Sequence, residues 1–201
     1  MSLIVGFGHR SGVGKSFACH AIKQQIEILC DNVSVGIYDM ASPMKEVCRL
    51  LWGRLGVQNA AYYERHREER SKIIEGLGCN VVELWCKVVD PLDHIEPGLP
   101  VNAMLHTAGF CDVLLIPNIR RPAEADEIKK NGGMLFKIEA DVPRFSGAKY
   151  DDTLAEYDGW DETLFNDKTD KFRQILADRV MFPILEKLGQ QGRYPVAHHP
   201  V

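Results

Sequence analysis

The amino-acid sequence predicts an α/β fold in which a parallel sheet of about five strands carries helices on both faces. Three observations predict it. Short apolar runs alternate along the chain with longer segments of helical spacing. The runs at Leu3–Phe7 and 112–116 are apolar almost throughout, the pattern of buried strands. The first run leads through a glycine-rich stretch directly into a helical segment.

In chain order, Leu3–Phe7 is the first strand, and it ends in glycine. From Ser16 to Cys30, Phe17, Ala18, Ala21, Ile22, Ile26 and Leu29 recur at helical spacing. Val33 to Tyr38 reads as a second strand. Ser42 and Pro43 read as N-cap and first residue of a helix ending near Leu51. Residues 61–75 are dense in charge and predict an exposed helix. Val81 to Val89 is a further helix, and residues 90–100, with three prolines, are a loop. Asp112 to Ile116 is a buried strand, and Pro122 to Asn131 a helix stopped by Gly132 and Gly133. Met134 to Ile138 is the next strand; residues 141–160 are polar, aromatic and turn-rich, a candidate mobile loop. Thr163 to Phe165 is a last short strand. Asp170 to Leu188 is a closing amphipathic helix that Pro183 should kink, followed by a loosely attached tail, 189–201.

A chain of 201 residues predicts one domain at roughly 150 residues each, with core enough to need no staples. Lys and Arg number 24 against 28 Asp and Glu, a net charge of −4 that does not favour a broad nucleic-acid-coating surface. A local basic groove stays compatible with it. No apolar run reaches the ~18 residues of a membrane span. Residues 1–7 lack the basic front and cleavage site of a signal peptide. The six cysteines are scattered without a CxxC pair, which suits buried thiols in a reducing cytoplasm. A homodimer is compatible with the sequence.

The sharpest feature is Gly8, His9, Arg10, Ser11, Gly12, Val13, Gly14, Lys15 and Ser16, lying between the first strand and the first helix. Strand, loop and helix in that order are the setting of a phosphate-binding loop. Its glycines let successive N–H groups turn toward one phosphate, and the helix directs its positive end at the same anion. Lys15 supplies a point charge to the outer phosphates, and the Ser16 hydroxyl is placed to ligate Mg²⁺. Phe17, next in line, borders the nucleotide. The spacing is unusual: counting back from Gly14 puts His9 where the G-x-x-x-x-G-K-[ST] pattern has its first glycine.

Other residues offer chemistry. Arg120 follows the 112–116 strand and reads as a clamp on phosphate, with Glu124 orienting it; the bland alternative is a surface pair. Asp39, after the second strand, is a candidate general base or metal-shell ligand, and equally an exposed turn residue. Lys45 reads as a substrate-phosphate contact or a solvated helix lysine. The 64–72 charge run is first a solvated face, with Arg65 or Arg70 able to reach an acceptor phosphate. Trp52 and Trp85 read as core residues before base-stacking platforms; Trp85 is kept as a substrate contact. Arg144 and the 150–161 segment are candidates for a lid.

Several segments together carry a resemblance. They are the loop at Ile4–Ser16; Met40-Ala-Ser-Pro-Met-Lys-Glu46; Leu77-Gly78 with Glu83-Leu-Trp85; Leu115-Ile-Pro-Asn-Ile-Arg-Arg-Pro-Ala-Glu-Ala125 with Gly132-Gly133; and Leu154 to Asn166. In this order they resemble the bacteriophage-type deoxynucleoside monophosphate kinases of the P-loop kinase superfamily. The resemblance implies a three-layer P-loop kinase domain over 1–188, acceptor-binding helices around 40–100 and a lid-like segment around 141–161. It implies phosphate contacts for Lys15, Ser16 and Arg120, an orienting role for Glu124, ATP and Mg²⁺ as cofactors, and the host cytoplasm as the setting. Asn118 and Ser42 stand where the family has aspartates, and Phe17 where many relatives have threonine.

The leading expectation is ATP- and Mg²⁺-dependent phosphoryl transfer to a deoxynucleoside 5′-monophosphate. A second keeps the kinase and makes the acceptor a hydroxymethylated pyrimidine base in DNA, for which Asp39 would be the base. A third, of another class, is a nucleotide-binding ATPase or switch; no guanine-reading Asn-Lys-x-Asp motif is present.

Overall fold

The computed structural model describes residues 2–107, 111–143 and 152–192. The chain divides into two compact units, Met1–Asp39 with Thr107–Val201, and Met40–His106. In chain order the elements are β1 (Leu3–Gly8), α1 (Lys15–Leu29), β2 (Val35–Ile37), α2 (Ser42–Trp52), α3 (Ala60–Arg65), β3 (Ile73–Ile74), β4 (Cys79–Asn80), α4 (Val81–Ile95) and α5 (Leu99–Thr107). Then come β5 (Val113–Ile119), α6 (Pro122–Lys130), β6 (Met134–Glu139), β7 (Glu162–Phe165), α7 (Asp170–Leu176) and α8 (Phe182–Gln190).

The first unit is built on a five-stranded sheet in the order β2-β5-β1-β6-β7, every neighbouring pair parallel. The strand pattern explains this. Leu114, Leu115 and Ile116 are buried on consecutive positions, which only a sheet covered on both faces allows. On one face Leu3, Val5 and Phe7 pack with Ile22 and Ile26 of α1 and with Phe172 and Ile184 of α7 and α8. On the other, a Cβ at Gly6 would lie 2.8 Å from Leu135 and 3.0 Å from Ile128 of α6, so helix and strand approach closely there. Burying each such aliphatic chain stabilises by roughly 1.5–3 kcal/mol.

The β1–β5 register shifts between Gly6, opposite Ile116, and Gly8, opposite Ile119. Pro117, which has no N–H to give the ladder, falls in this irregular stretch, where a proline is tolerated. The residues that follow, Asn118 and Arg120, therefore leave the sheet near its carboxyl end.

The closing helix does contain a defect at its proline. A π-helical turn over Ala177–Met181 precedes α8, whose first turn holds Pro183, so the missing N–H falls where no helical partner is needed.

The second unit corrects three expectations. Residues 61–75 are not one helix: α3 ends at Arg65, a 3₁₀ turn follows at Arg67–Ser71, and β3 pairs antiparallel with β4. Asn59 caps α3 by accepting the Tyr62 N–H at 2.8 Å, and the paired isoleucines favour the strand. Residues 90–100 are not a loop, because α4 runs through an exposed Pro91 to Ile95 and α5 starts at Leu99. A reciprocal Asn80–Glu83 cap and the buried Val81 and Leu84 anchor α4. Ser42 is the first residue of α2 rather than its cap, which is Ala41. Cys48, Val57, Tyr63, Cys79, Val81 and Leu84 form this unit's core, with Trp52 and Trp85 packed against it.

All six cysteines are free thiols, four of them buried. No helix among the described residues is long and apolar enough to cross a membrane.

Candidate active site

The glycine-rich loop leaves the carboxyl end of β1, the central strand of the sheet. The chain leaves β1 toward one edge of the sheet and leaves β6 toward the other, and such a divergence opens a crevice at the strand ends.

His9 accounts for the unusual spacing. Its φ is 88°, the left-handed conformation that a glycine takes at no cost, and a non-glycine residue holds only when its surroundings impose it. The ring is 8 % exposed and hydrogen-bonds the Ile138 backbone, while Nδ1 has no partner. Burial first, then the nearby Lys137 charge, lowers the His9 pKa, so the imidazole is neutral at neutral pH. Gly12 and Gly14 also have positive φ, 80° and 104°, and Val13 between them is buried and pins the loop to the core.

Lys15 is the first residue of α1 and is only 6 % exposed. Its ammonium folds back into the loop and donates to the carbonyl oxygens of His9, at 2.9 Å, and Arg10. Gly14 offers no side chain to cap α1, and the amides of a helix's first turn face outward from its end. Ser16 is exposed on that turn. Phe17, half exposed, turns toward α7: its ring lies 6.3 Å from Phe172 and 4.9 Å from the Arg173 guanidinium.

Arg120 reaches the loop from β5, donating from Nη1 to Ser11 Oγ at 3.2 Å. Glu124, 5 % exposed, accepts the backbone N–H groups of Arg120 (2.8 Å) and Arg121 (3.1 Å). It thus orients Arg120 through the main chain and caps α6 at the same time. Asp39, just past β2, accepts a hydrogen bond from the Asn118 side-chain amide, uniting two residues 79 positions apart.

The described part of the expected lid, 152–161, lies against the loop. Trp160 and Leu154 cover Gly8 so closely that a Cβ there would collide with the indole. Thr153 Oγ1 donates to the Arg120 carbonyl, and Asp152 lies 3.8 Å from Arg10 Nε. Glu139 is held below its usual carboxylate range, chiefly by its hydrogen bond with Lys137, with His9 and Arg10 adding to it. Arg144 and residues 193–201 lie outside the described residues.

In the second unit, the Lys45 ammonium sits 4.8 Å from the centre of the Trp85 ring, and Tyr63 meets the same indole edge-on at 5.6 Å. Trp85 Nε1 is buried without a partner. Arg70 donates to the Tyr63 carbonyl at 2.9 Å and pairs with Glu64, while Arg65 donates to Ala61 of its own helix at 3.2 Å. Both arginines are thus spent on local structure.

Sequence reasoning missed Asn166 as a site residue. It is 9 % exposed and its Nδ2 donates to the Val13 carbonyl at 2.9 Å, across 153 residues. Only its place just after a short strand marked it.

The residues fit a nucleotide triphosphate with Mg²⁺. The cradle is built of left-handed residues, with an ammonium inside it and a hydroxyl at its exit. Among the described residues no cluster of three or more His, Cys, Asp or Glu side chains exists. Mg²⁺ does not require one, since it keeps waters and takes its other ligands from phosphates. No protein-family model matches the chain, and no curated protein matches it.

Proposed function

We propose that this protein is a P-loop kinase that transfers the γ-phosphoryl group of Mg²⁺-ATP to a deoxynucleoside 5′-monophosphate. The observation that carries the reading is Lys15, whose ammonium is held by loop carbonyls at the carboxyl end of the central strand, with His9 holding the conformation usual for glycine. The order of the sequence motifs after the loop supports the choice of acceptor.

Lys15 and the amides of the loop and first α1 turn would grip the donor's outer phosphates. Arg120, tethered to Ser11 and set by Glu124, would stand over the transferring group and balance its charge. Ser16 would hold Mg²⁺, with Asp39 in its outer shell through water. Bound Mg²⁺ supplies charge neutralisation between the phosphates. Trp160 and Leu154 exclude water from the Gly8 end of the loop. A monophosphate acceptor is already anionic, so positioning does most of the work and no strong base is required. Lys45 and Trp85 are the second unit's candidates for the acceptor's phosphate and base.

The test is a coupled ADP-release assay with each deoxynucleoside monophosphate. ADP formation that depends on one of them is expected; none with any acceptor would reject the reading. A second reading has its own observation, the Asp39 carboxylate held by Asn118. A carboxylate so placed suits a hydroxyl acceptor, which needs a base, as on a hydroxymethylated pyrimidine in DNA. Transfer of γ-label from ATP to such DNA, lost in Asp39→Asn, would favour it over the first.

A further inference from the structure

We infer that Asn166 is a positioning residue that sets the Val13–Gly14 peptide so that the Gly14 N–H faces the phosphate. This inference rests on the phosphate-loop reading above and adds a residue to it.

Asn166 follows β7, and its backbone N–H donates to the Glu139 carbonyl at 2.7 Å, fixing it to the end of β6. Its side chain is doubly engaged. Nδ2 donates to the Val13 carbonyl at 2.9 Å, and Oδ1 accepts the Lys168 N–H at 2.9 Å. One partner is an acceptor and the other a donor, so only an amide, in one orientation, satisfies both.

The peptide joining Val13 to Gly14 is trans, as no cis bond occurs. In a planar trans peptide the C=O and the next N–H point in opposite directions. Holding the Val13 carbonyl toward Asn166 therefore turns the Gly14 N–H to the opposite side of that peptide, away from β7. Gly14 is suited twice over, by its φ of 104° and because a Cβ there would collide with Asn166 Nδ2. The loop next to Lys15 is thus braced by a residue from the far end of the sheet.

The experiment uses the full chain, labelled with ¹⁵N-glycine and titrated with inorganic tripolyphosphate and Mg²⁺. In the unaltered protein the Gly14 amide is expected to shift downfield on binding. Asn166→Ala is expected to weaken tripolyphosphate about tenfold, the scale of one lost hydrogen bond that orders a binding group, and to diminish the Gly14 shift at saturation. Asn166→Asp, equal in shape, is expected to fare no better, because a carboxylate oxygen would face the Val13 carbonyl; a space-filling role would leave it near normal. An unaltered Gly14 shift in Asn166→Ala, or an affinity within twofold of the unaltered protein for both variants, overturns the assignment. So does an unaltered protein that binds tripolyphosphate without moving the Gly14 amide, a result that needs no variant to fold. Failure of the unaltered protein to bind tripolyphosphate at all overturns the phosphate-site reading together with this assignment.

Discussion

The glycine-rich loop and the second unit use their polar residues in opposite ways. Around the loop, hydrogen bonds join residues far apart in sequence: Arg120 to Ser11 across 109 positions, Asn166 to Val13 across 153. In the second unit most charged side chains pair within a helical turn, as Arg49 does with Glu46 and Lys72 with Glu69. Long-range bonds fix a geometry before any ligand arrives; local exposed pairs add little and hold nothing distant in place. The contrast separates a prebuilt grip on a common chemical group from a surface whose partners are nearby and replaceable.

Four changes would break or sharpen that contrast. The largest effect is expected from Lys15→Ala: kcat for acceptor-dependent ADP release should fall by about a thousandfold, with the folded state intact by circular dichroism. Next is Gly14→Ala. Its φ of 104° and the collision with Asn166 should cost about 2–4 kcal/mol, read by urea unfolding, whereas a substitution at an exposed glycine with open space, such as Gly53, should cost far less. Lys45→Ala in the second unit should raise the KM for the acceptor several-fold with little change in kcat or in KM for ATP, a shift on the order of one cation–aromatic contact. An equal loss in all three parameters would erase the proposed division of labour.

The smallest effect is a pH dependence. His9 has a lowered pKa in the folded state, so as pH falls through 6.5 the unfolded chain takes up a proton that the folded chain refuses. Stability should therefore decline from pH 6.5 down to the lower folded value and then level off. Asn at position 9, which tolerates the left-handed conformation, should lessen that decline. Unfolding midpoints at pH 7.5 and 5.5 compare the two proteins; equal acid losses would deny His9 the role.

Much of the first unit was legible because its signals are local. The 112–116 run, the Gly132-Gly133 stop and the loop between strand and helix each declare themselves within a few residues. The β3–β4 hairpin and α5 did not. Ile73 and Ile74 make too short a run to stand out beside the dense charges before them, and prolines at 91, 97 and 100 hid two helices whose packing tolerates them. In the site, Lys15 and Arg120 were readable from residue type and place. The backbone role of Glu124, the Asp39–Asn118 pair and Asn166 depend on contacts that only the closed sheet creates, and no periodicity encodes those.

The π-helical turn at Ala177–Met181 has a consequence for the length of the chain. Phe172, Leu176, Val180, Ile184 and Leu188 recur every fourth residue and all are buried. In a regular α-helix such a row drifts by about 40° at each step and would soon spiral away from the sheet. The wider turn absorbs part of that drift and keeps the stripe aligned. Deleting one residue between 177 and 181 would rotate everything beyond it by about 100°, lifting Ile184 and Leu188 off the core. Such a deletion should lower the melting temperature far more than an alanine at exposed Asp178, which makes this segment intolerant of shortening although its surface positions tolerate exchange.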